Sequence, residues 1–267
     1  MEIAVIGGTG VYDPGVLQDV HAVAVSTPYG DVQVQVGTFQ GREVAFLARH
    51  GAGHAVPPHR VNYRANIYAL YQLGVKSIFA TAAVGSLQPE WKPGDFCLLD
   101  DFIDMTHRRD STFFEGGDAG VVHVDYTEPY CGELRQYLLD AAREVGLFVH
   151  PTGTYVCTEG PRYETPAEVR LFASWGAHVV GMTQVPEVVL AREAQMCYAG
   201  IAMITNFAAG ISPTKLTHAE VLAVMEENAT KLQRLLFAAI GRVPPGRHCA
   251  RGCHEAAREL GSLGRPS

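Results

Sequence analysis

Apolar residues fall into short compact runs along this chain, separated by stretches of helical period. Ile3 to Ile6, Val44 to Ala48, Ser77 to Thr81, Phe96 to Leu99 and Thr154 to Cys157 have the continuous apolar or β-branched character of strands buried on both faces. Val179 with Val180, and Ala199 to Ile204, extend the set. Val32-Gln-Val-Gln-Val36 alternates instead, which predicts a half-exposed antiparallel strand and hence a mixed sheet. Between the strands, Val61 to Leu73, Glu133 to Val145, Glu187 to Gln195 and about His218 to Ile240 read as helices. Two helix starts are marked by capping tetrads. Thr165-Pro-Ala-Glu168 and Thr217-His-Ala-Glu220 each place a hydroxyl before the first turn and a glutamate that reaches back to it.

Strands alternating with helices predict an α/β fold, a central mixed, largely parallel sheet flanked by helices in a single domain. Without an internal repeat or a linker before Pro244, that domain is expected over 1–243, with 244–267 a peripheral or mobile tail rich in Pro, Gly and Arg. The window Ala194 to Thr214 is uncharged and long enough to span a membrane. Gln195, Asn206, Pro213 and several glycines interrupt it, so a buried strand followed by a polar loop is expected, and no membrane span.

Composition narrows the picture further. At 267 residues, 47% apolar and 18% charged, the chain should bury roughly three quarters of its surface, which excludes disordered and coiled-coil classes. A net charge of −7 leaves no basic surplus to neutralise a phosphate backbone, so nucleic acid is not an expected partner. The opening Met1-Glu2 lacks the basic start of a secretory leader. Cys97, Cys131, Cys157 and Cys197 are dispersed among apolar segments, and reduced thiols in a cytoplasmic protein are the expectation.

Candidate chemistry clusters at predicted strand ends. Gly7-Gly8-Thr9-Gly10 can offer backbone N–H groups and a hydroxyl to an anion, with a tight turn as the alternative. Arg49-His50-Gly51 places a planar fork and a ring nitrogen after the next strand. Open α/β sheets bind ligands beyond the strand carboxyl ends, so the two sites suit one anion. Arg64, in Asn62-Tyr-Arg-Ala-Asn66, is a further cation nearby. In Thr158-Glu-Gly-Pro-Arg-Tyr-Glu-Thr165, Glu164 can accept N–H donors from a heterocycle; the alternative is a charged loop with Arg162 paired to Glu159 or Glu164. Gly181-Met182-Thr183 offers a soft apolar face and a hydroxyl, and Asn206 an amide that both donates and accepts. His218, at the positive end of its helix, is held towards the neutral imidazole. His248-Cys249-Ala-Arg-Gly-Cys253-His254 carries zinc-ligand types at a non-standard spacing, and incidental clustering with no metal is the expectation.

Together these motifs resemble the purine nucleoside phosphorylase and methylthioadenosine phosphorylase family over residues 2 to 241. Ala48-Arg-His-Gly51, Thr158-Glu-Gly-Pro-Arg162 and Gly181-Met-Thr-Gln-Val-Pro-Glu187 carry the resemblance with the opening glycines and the Asn62 motif. It implies reversible cleavage of a nucleoside by inorganic phosphate as co-substrate, without cofactor or metal. It also implies a homotrimer or a dimer of trimers with sites near subunit boundaries. Phosphate would be held by Thr9, Arg49, His50 and Thr183, with Ala83 offering backbone. Met182 would lie under the ribose, and His123 would reach in from a neighbour. Methylthioadenosine phosphorylases usually have threonine where this chain has Ala82.

The resemblance also bears on the base. Adenine-specific members carry aspartate where Asn206 stands, and 6-oxopurine enzymes set a glutamate, here Glu164, against N1–H. His218 matches a histidine for the ribose 5′-hydroxyl. Catalysis by Asn206, Glu164 and His50 on inosine and guanosine is therefore expected, with 5′-methylthioinosine or 5′-methylthioadenosine as the alternative substrates. A hydrolytic nucleosidase and a non-catalytic purine sensor are the rival readings.

Overall fold

The computed structural model describes residues 1–7, 17–51, 53, 55–117, 120–212 and 217–257, and of residue 218 only the backbone. Its first strands are β1 (Ile3–Gly7), β2 (Gln18–Thr27), β3 (Gly30–Phe39), β4 (Arg42–Ala48) and β5 (Ser77–Ser86). After them come β6 (Phe96–Leu98), β7 (Asp101–Met105), β8 (Val149–His150), β9 (Thr154–Thr158), β10 (Val179–Gly181) and β11 (Cys197–Phe207). The helices are α1 (Tyr63–Gln72), α2 (Gly132–Glu144), α3 (Pro166–Ser174), α4 (Gln184–Glu193) and α5 (His218–Arg242). Among the described residues the strands form one mixed sheet in the order β2-β3-β4-β1-β5-β10-β9-β7, with β11 joining β5 to β6 and β8 beyond β6.

Period-two alternation sends side chains of the inner strands to two cores. Ile3 and Val5 of β1 face the side covered by Leu134 and Leu138 of α2 and by Leu232, Leu235, Leu236 and Ile240 of α5. Ala4 and Ile6 face the opposite side, under Ile67 and Leu70 of α1 and Val188 and Ala191 of α4. Apolar residues on both faces explain the unbroken runs in the sequence. At the other extreme, β3 pairs antiparallel with both β2 and β4, as the Val32–Val36 alternation predicts. Both capping tetrads form complete boxes, Thr165 with Glu168 and Thr217 with Glu220.

The length of β5 is what makes room for a site. Its start pairs parallel with β1 from Ser77 to Ala80, and its end pairs antiparallel with β10 at Gly85 and Ser86. Between these two partners, residues 81–84 have β11 alone as a ladder neighbour among the described residues. On the opposite edge β11 follows β5 throughout, which carries both strands well past the ends predicted at Thr81 and Ile204. The register shifts between Ile204 and Asn206, a bulge that sets Asn206 opposite Gly85. Bulges of this kind bend a strand and re-aim its side chains.

Residues 244–257, expected to be peripheral or mobile, lie at the periphery but are seated on the domain. Arg247 donates to Glu133 of α2 at 2.9 Å and to Ser77 at 3.2 Å, while Cys249 and Cys253 are buried. Their anchoring is polar and sulfur-based, so it leaves no apolar periodicity to read. No described helix is long and apolar enough to cross a membrane, and most of the uncharged window is β11.

Candidate active site

Beyond the carboxyl ends of β1 and β4 lies a cavity of about 1010 Å³. Its lining includes Arg49, His50, Ala82, Ala83, Met182 and Thr183 together with Glu164 and Asn206. Arg49 and His50 of the sequence-predicted oxyanion group thus share one chamber with Glu164 and Asn206. Thr9 lies outside the described residues, as does the His218 side chain, although Val221, Leu222 and Met225 of the same helix line the cavity. His123 is exposed and does not line it.

Arg49 sits one residue past β4, its N–H tied to the Gly7 carbonyl at the end of β1. Its buried guanidinium is aligned by a bidentate pair with Glu187, Nε and Nη2 each 2.7 Å from a carboxylate oxygen, and Nη1 donates to the Thr81 carbonyl at 2.8 Å. That carbonyl belongs to the stretch of β5 between its two partners. Burial alone would lower the guanidinium pKa, but the Glu187 carboxylate and its hydrogen bonds outweigh burial and raise it. The planar fork expected to grip phosphate is therefore occupied by Glu187, and the remaining N–H donors are those left for a ligand. Tyr198 holds Glu187 in turn, its hydroxyl 2.7 Å from Oε1.

His50 closes its own loop twice. Its carbonyl accepts from Val56 N–H at 2.9 Å, and Nδ1 donates to the Val56 carbonyl at 2.8 Å. A carbonyl only accepts, so Nδ1 carries the proton and any donation to an anion falls to Nε2 of the imidazolium. Thr183 is the N-cap residue of α4 but spends no hydroxyl bond on capping. Its N–H donates to the Tyr155 hydroxyl at 3.0 Å. The helix it caps is irregular, because Val185 is extended (φ −112°, ψ 131°) within its first turn.

Glu164 accepts from the Thr158 hydroxyl at 2.7 Å, and burial raises its pKa. Asn206 is oriented by a bond from the Thr205 hydroxyl to its Oδ1 at 2.8 Å and by its own Nδ2–H donating to the Phe207 carbonyl at 2.9 Å. Two further arginines of these motifs are held by other partners. Arg64 is held by Asp110 at 2.6 Å and Glu115 at 2.8 Å and does not line the cavity. Arg162 pairs bidentately with Glu168, the capping-box glutamate, at 2.6 and 2.8 Å, because the cap fixes that carboxylate within its reach.

Sequence reasoning assigned no role to Glu187 or Arg109. The Arg109 side chain is buried and donates to the carbonyls of Met182 (2.8 Å), Val185 (2.6 Å) and Glu159 (2.8 Å), which ties the loop after β10 to the loop after β9. Nothing near Arg109 in the sequence signals this. Glu187 does leave a trace, as a carboxylate inside the apolar run from Val185 to Leu190. A charge there needs a buried partner.

The model of the phosphorylase superfamily matches residues 2–241. The chain belongs to the phosphorylase superfamily. Among its relatives, a probable 6-oxopurine nucleoside phosphorylase of Dictyoglomus turgidum is 55% identical, over 99% of each chain. An S-methyl-5′-thioadenosine phosphorylase of Hyperthermus butylicus is 50% identical, over 91% of this chain and 89% of its own. A crystal structure of methylthioadenosine phosphorylase from an Antarctic soil metagenomic library superposes with a TM-score of 0.90 at 38% identity, covering 97% of this chain and 91% of that one. The single α/β domain and the family resemblance drawn from the motifs are thereby established for this superfamily member.

Proposed function

We propose that this enzyme is a purine nucleoside phosphorylase that cleaves inosine and guanosine with inorganic phosphate, giving the free base and ribose 1-phosphate. The observation that carries the reading is the common cavity, in which Arg49, His50 and Thr183 share one space with Glu164 and Asn206. Phosphate is held by Thr9, Arg49, His50 and Thr183 with the backbone of Ala83, Met182 lies under the ribose, and His218 meets the 5′-hydroxyl. As C1′–N9 stretches, the sugar becomes cationic beside the phosphate anion, and negative charge builds on the purine. Asn206 donates to that charge with the amide N–H not used by Phe207, while the Glu164 carboxylate accepts from N1–H. Pre-aligned dipoles and charges supply the catalysis.

The choice of a 6-oxopurine rests on Asn206 and Glu164 together. Adenine would leave the carboxylate facing an unprotonated N1, an unpaired buried acceptor that costs about 1–3 kcal/mol. The assembly is a homotrimer or a dimer of trimers, with His123 contributed by a neighbour, and the enzyme works in the cytoplasm. Inorganic phosphate is a co-substrate and no cofactor takes part.

The test is a panel of inosine, guanosine, adenosine, 5′-methylthioinosine and 5′-methylthioadenosine, each with and without phosphate. Phosphate-dependent ribose 1-phosphate from inosine or guanosine is the expected result, and Asn206→Asp should move preference towards 6-aminopurines. Free ribose without phosphate would identify a nucleosidase, binding without turnover a sensor, and faster turnover of the methylthio nucleosides the alternative substrates.

A further inference from the structure

Four cysteines from three separate stretches of the chain converge beside the amino-terminal end of β11, the end away from Asn206. Cys131 is the N-cap residue of α2, Cys197 opens β11, and Cys249 and Cys253 come from the segment after α5. Their four Sγ atoms lie within 4.8 Å of one another, and all four residues are buried. Cys197 and Asn206 sit towards opposite ends of β11, so about 30 Å of strand separates this cluster from the base-reading side.

We propose that these four thiols form a structural zinc site that pins the C-terminal segment to the domain. A tetrahedral zinc thiolate has Zn–S bonds of about 2.3 Å, which sets its sulfur–sulfur edges near about 3.8 Å. The Cys131 and Cys249 sulfurs are 3.7 Å apart, already at that edge length. Mutual proximity of all four sulfurs is the arrangement of one tetrahedron. Two disulfides would require only two close pairs, each at about 2.05 Å.

The surroundings match the charge of such a centre. Zinc with four thiolates carries two negative charges, and two arginines donate directly to the sulfurs. Arg247 lies 3.4 Å from Cys197 and 3.5 Å from Cys131, and Arg192 lies 3.2 Å from Cys253. Donors around the ligand atoms are the usual second layer of a metal site. Cys131 makes no capping bond with its side chain, so its sulfur is not committed to the helix end. Gly252 at φ +71° turns the chain between Cys249 and Cys253, a conformation that favours glycine. His248 and His254 are outside the cluster and pack edge to face at 5.0 Å. The zinc-ligand types noted at this segment are therefore completed by cysteines of the domain and not by the neighbouring histidines. On binding, zinc exchanges its water ligands for sulfur, and each thiol gives its proton to solvent.

The experiment uses the full chain, reduced and stripped with chelator, then titrated with zinc chloride or cobalt chloride. One zinc per chain should survive dialysis and appear in the native mass, and cobalt should give the visible absorption of a tetrahedral thiolate complex. Zinc should raise the melting temperature, and chelator should reverse the rise. The C249S/C253S variant should lose at least about a thousandfold in zinc affinity, since half of the donor set is gone. If that variant does not fold, the cobalt spectrum of the unmodified chain still decides the matter. Reduced protein that takes up neither ion would overturn the proposal. So would a C249S/C253S chain that binds zinc as well as the parent, or disulfides among these cysteines whose reduction restores no metal binding.

Discussion

Arg49 and Glu187 are joined so closely that neither can be understood alone. The carboxylate occupies one edge of the guanidinium and fixes its plane, which orients the remaining donors before any anion arrives. Glu187→Gln keeps the shape but leaves a buried cation without its counter-charge, a loss of about 3–5 kcal/mol in stability. It should also cost about 100-fold in kcat/KM for phosphate, about 2.7 kcal/mol at the transition state; denaturant melts and phosphate-dependence kinetics would check the two losses. Glu164 makes a different prediction, about pH. In its proposed role the ionised form accepts N1–H, and burial raises its pKa, so the proton returns at a higher pH than for an ordinary glutamate, about 4.3. Activity on inosine should fall on acidification with an inflection above that value. A raised carboxylate pKa means that the folded state favours the proton, so burying the ionised form costs stability at neutral pH. Glu164→Gln should therefore lose about 10- to 100-fold in kcat/KM for inosine, remove the acidic inflection and melt at a higher temperature. An unchanged pH profile would remove Glu164 from the base-reading role.

At the scale of elements, the site depends on where strands end and on how closely they approach. Gly181 closes β10, and a Cβ there would lie 2.4 Å from the Tyr155 hydroxyl that receives the Thr183 N–H. Gly181→Ala should displace that hydroxyl and the Met182–Thr183 turn, at a cost of about 1–3 kcal/mol in stability. Phosphate KM should rise with it, whereas an unaltered KM would separate Thr183 from the anion. Much of this framework is legible in the sequence, because strands buried on both faces are written as apolar runs and helix starts as capping boxes. The edge strand β2 is not, since its residues are exposed or half-buried and leave no core-facing signal. Nor is β7, in which Asp101 and Asp104 are exposed within a strand that, among the described residues, pairs only with β9. The room beside residues 81–84 is equally hidden, because it arises from two different neighbours stopping short along β5. Motif residues of the candidate site could be picked out singly, but the carboxylate that aligns Arg49 lies 138 positions away and is brought to it by the fold. The same holds for Cys131 and Cys197, which only the join of α2 to β11 makes neighbours.

For the whole molecule, the position of His123 carries the strongest consequence. It is exposed and lies off the lining of its own chain's cavity, while the proposed trimer has it complete a neighbour's site. A ring of identical chains uses heterologous contacts, so a donor on one surface meets an acceptor site on the next subunit. Arg49, by contrast, serves the cavity of its own chain. The two residues can then be separated by mixing. Arg49→Ala and His123→Ala chains should each form assemblies of low activity, and unfolding and refolding them together should restore part of it. A site is intact when its own chain carries Arg49 and the contributing neighbour carries His123, a combination met at about one quarter of the sites in a random equal mixture. Recovery approaching about a quarter of the parent activity, with the size of the assembly unchanged, would place His123 across the boundary. Activity no greater than the average of the two separate variants would confine each site to a single chain.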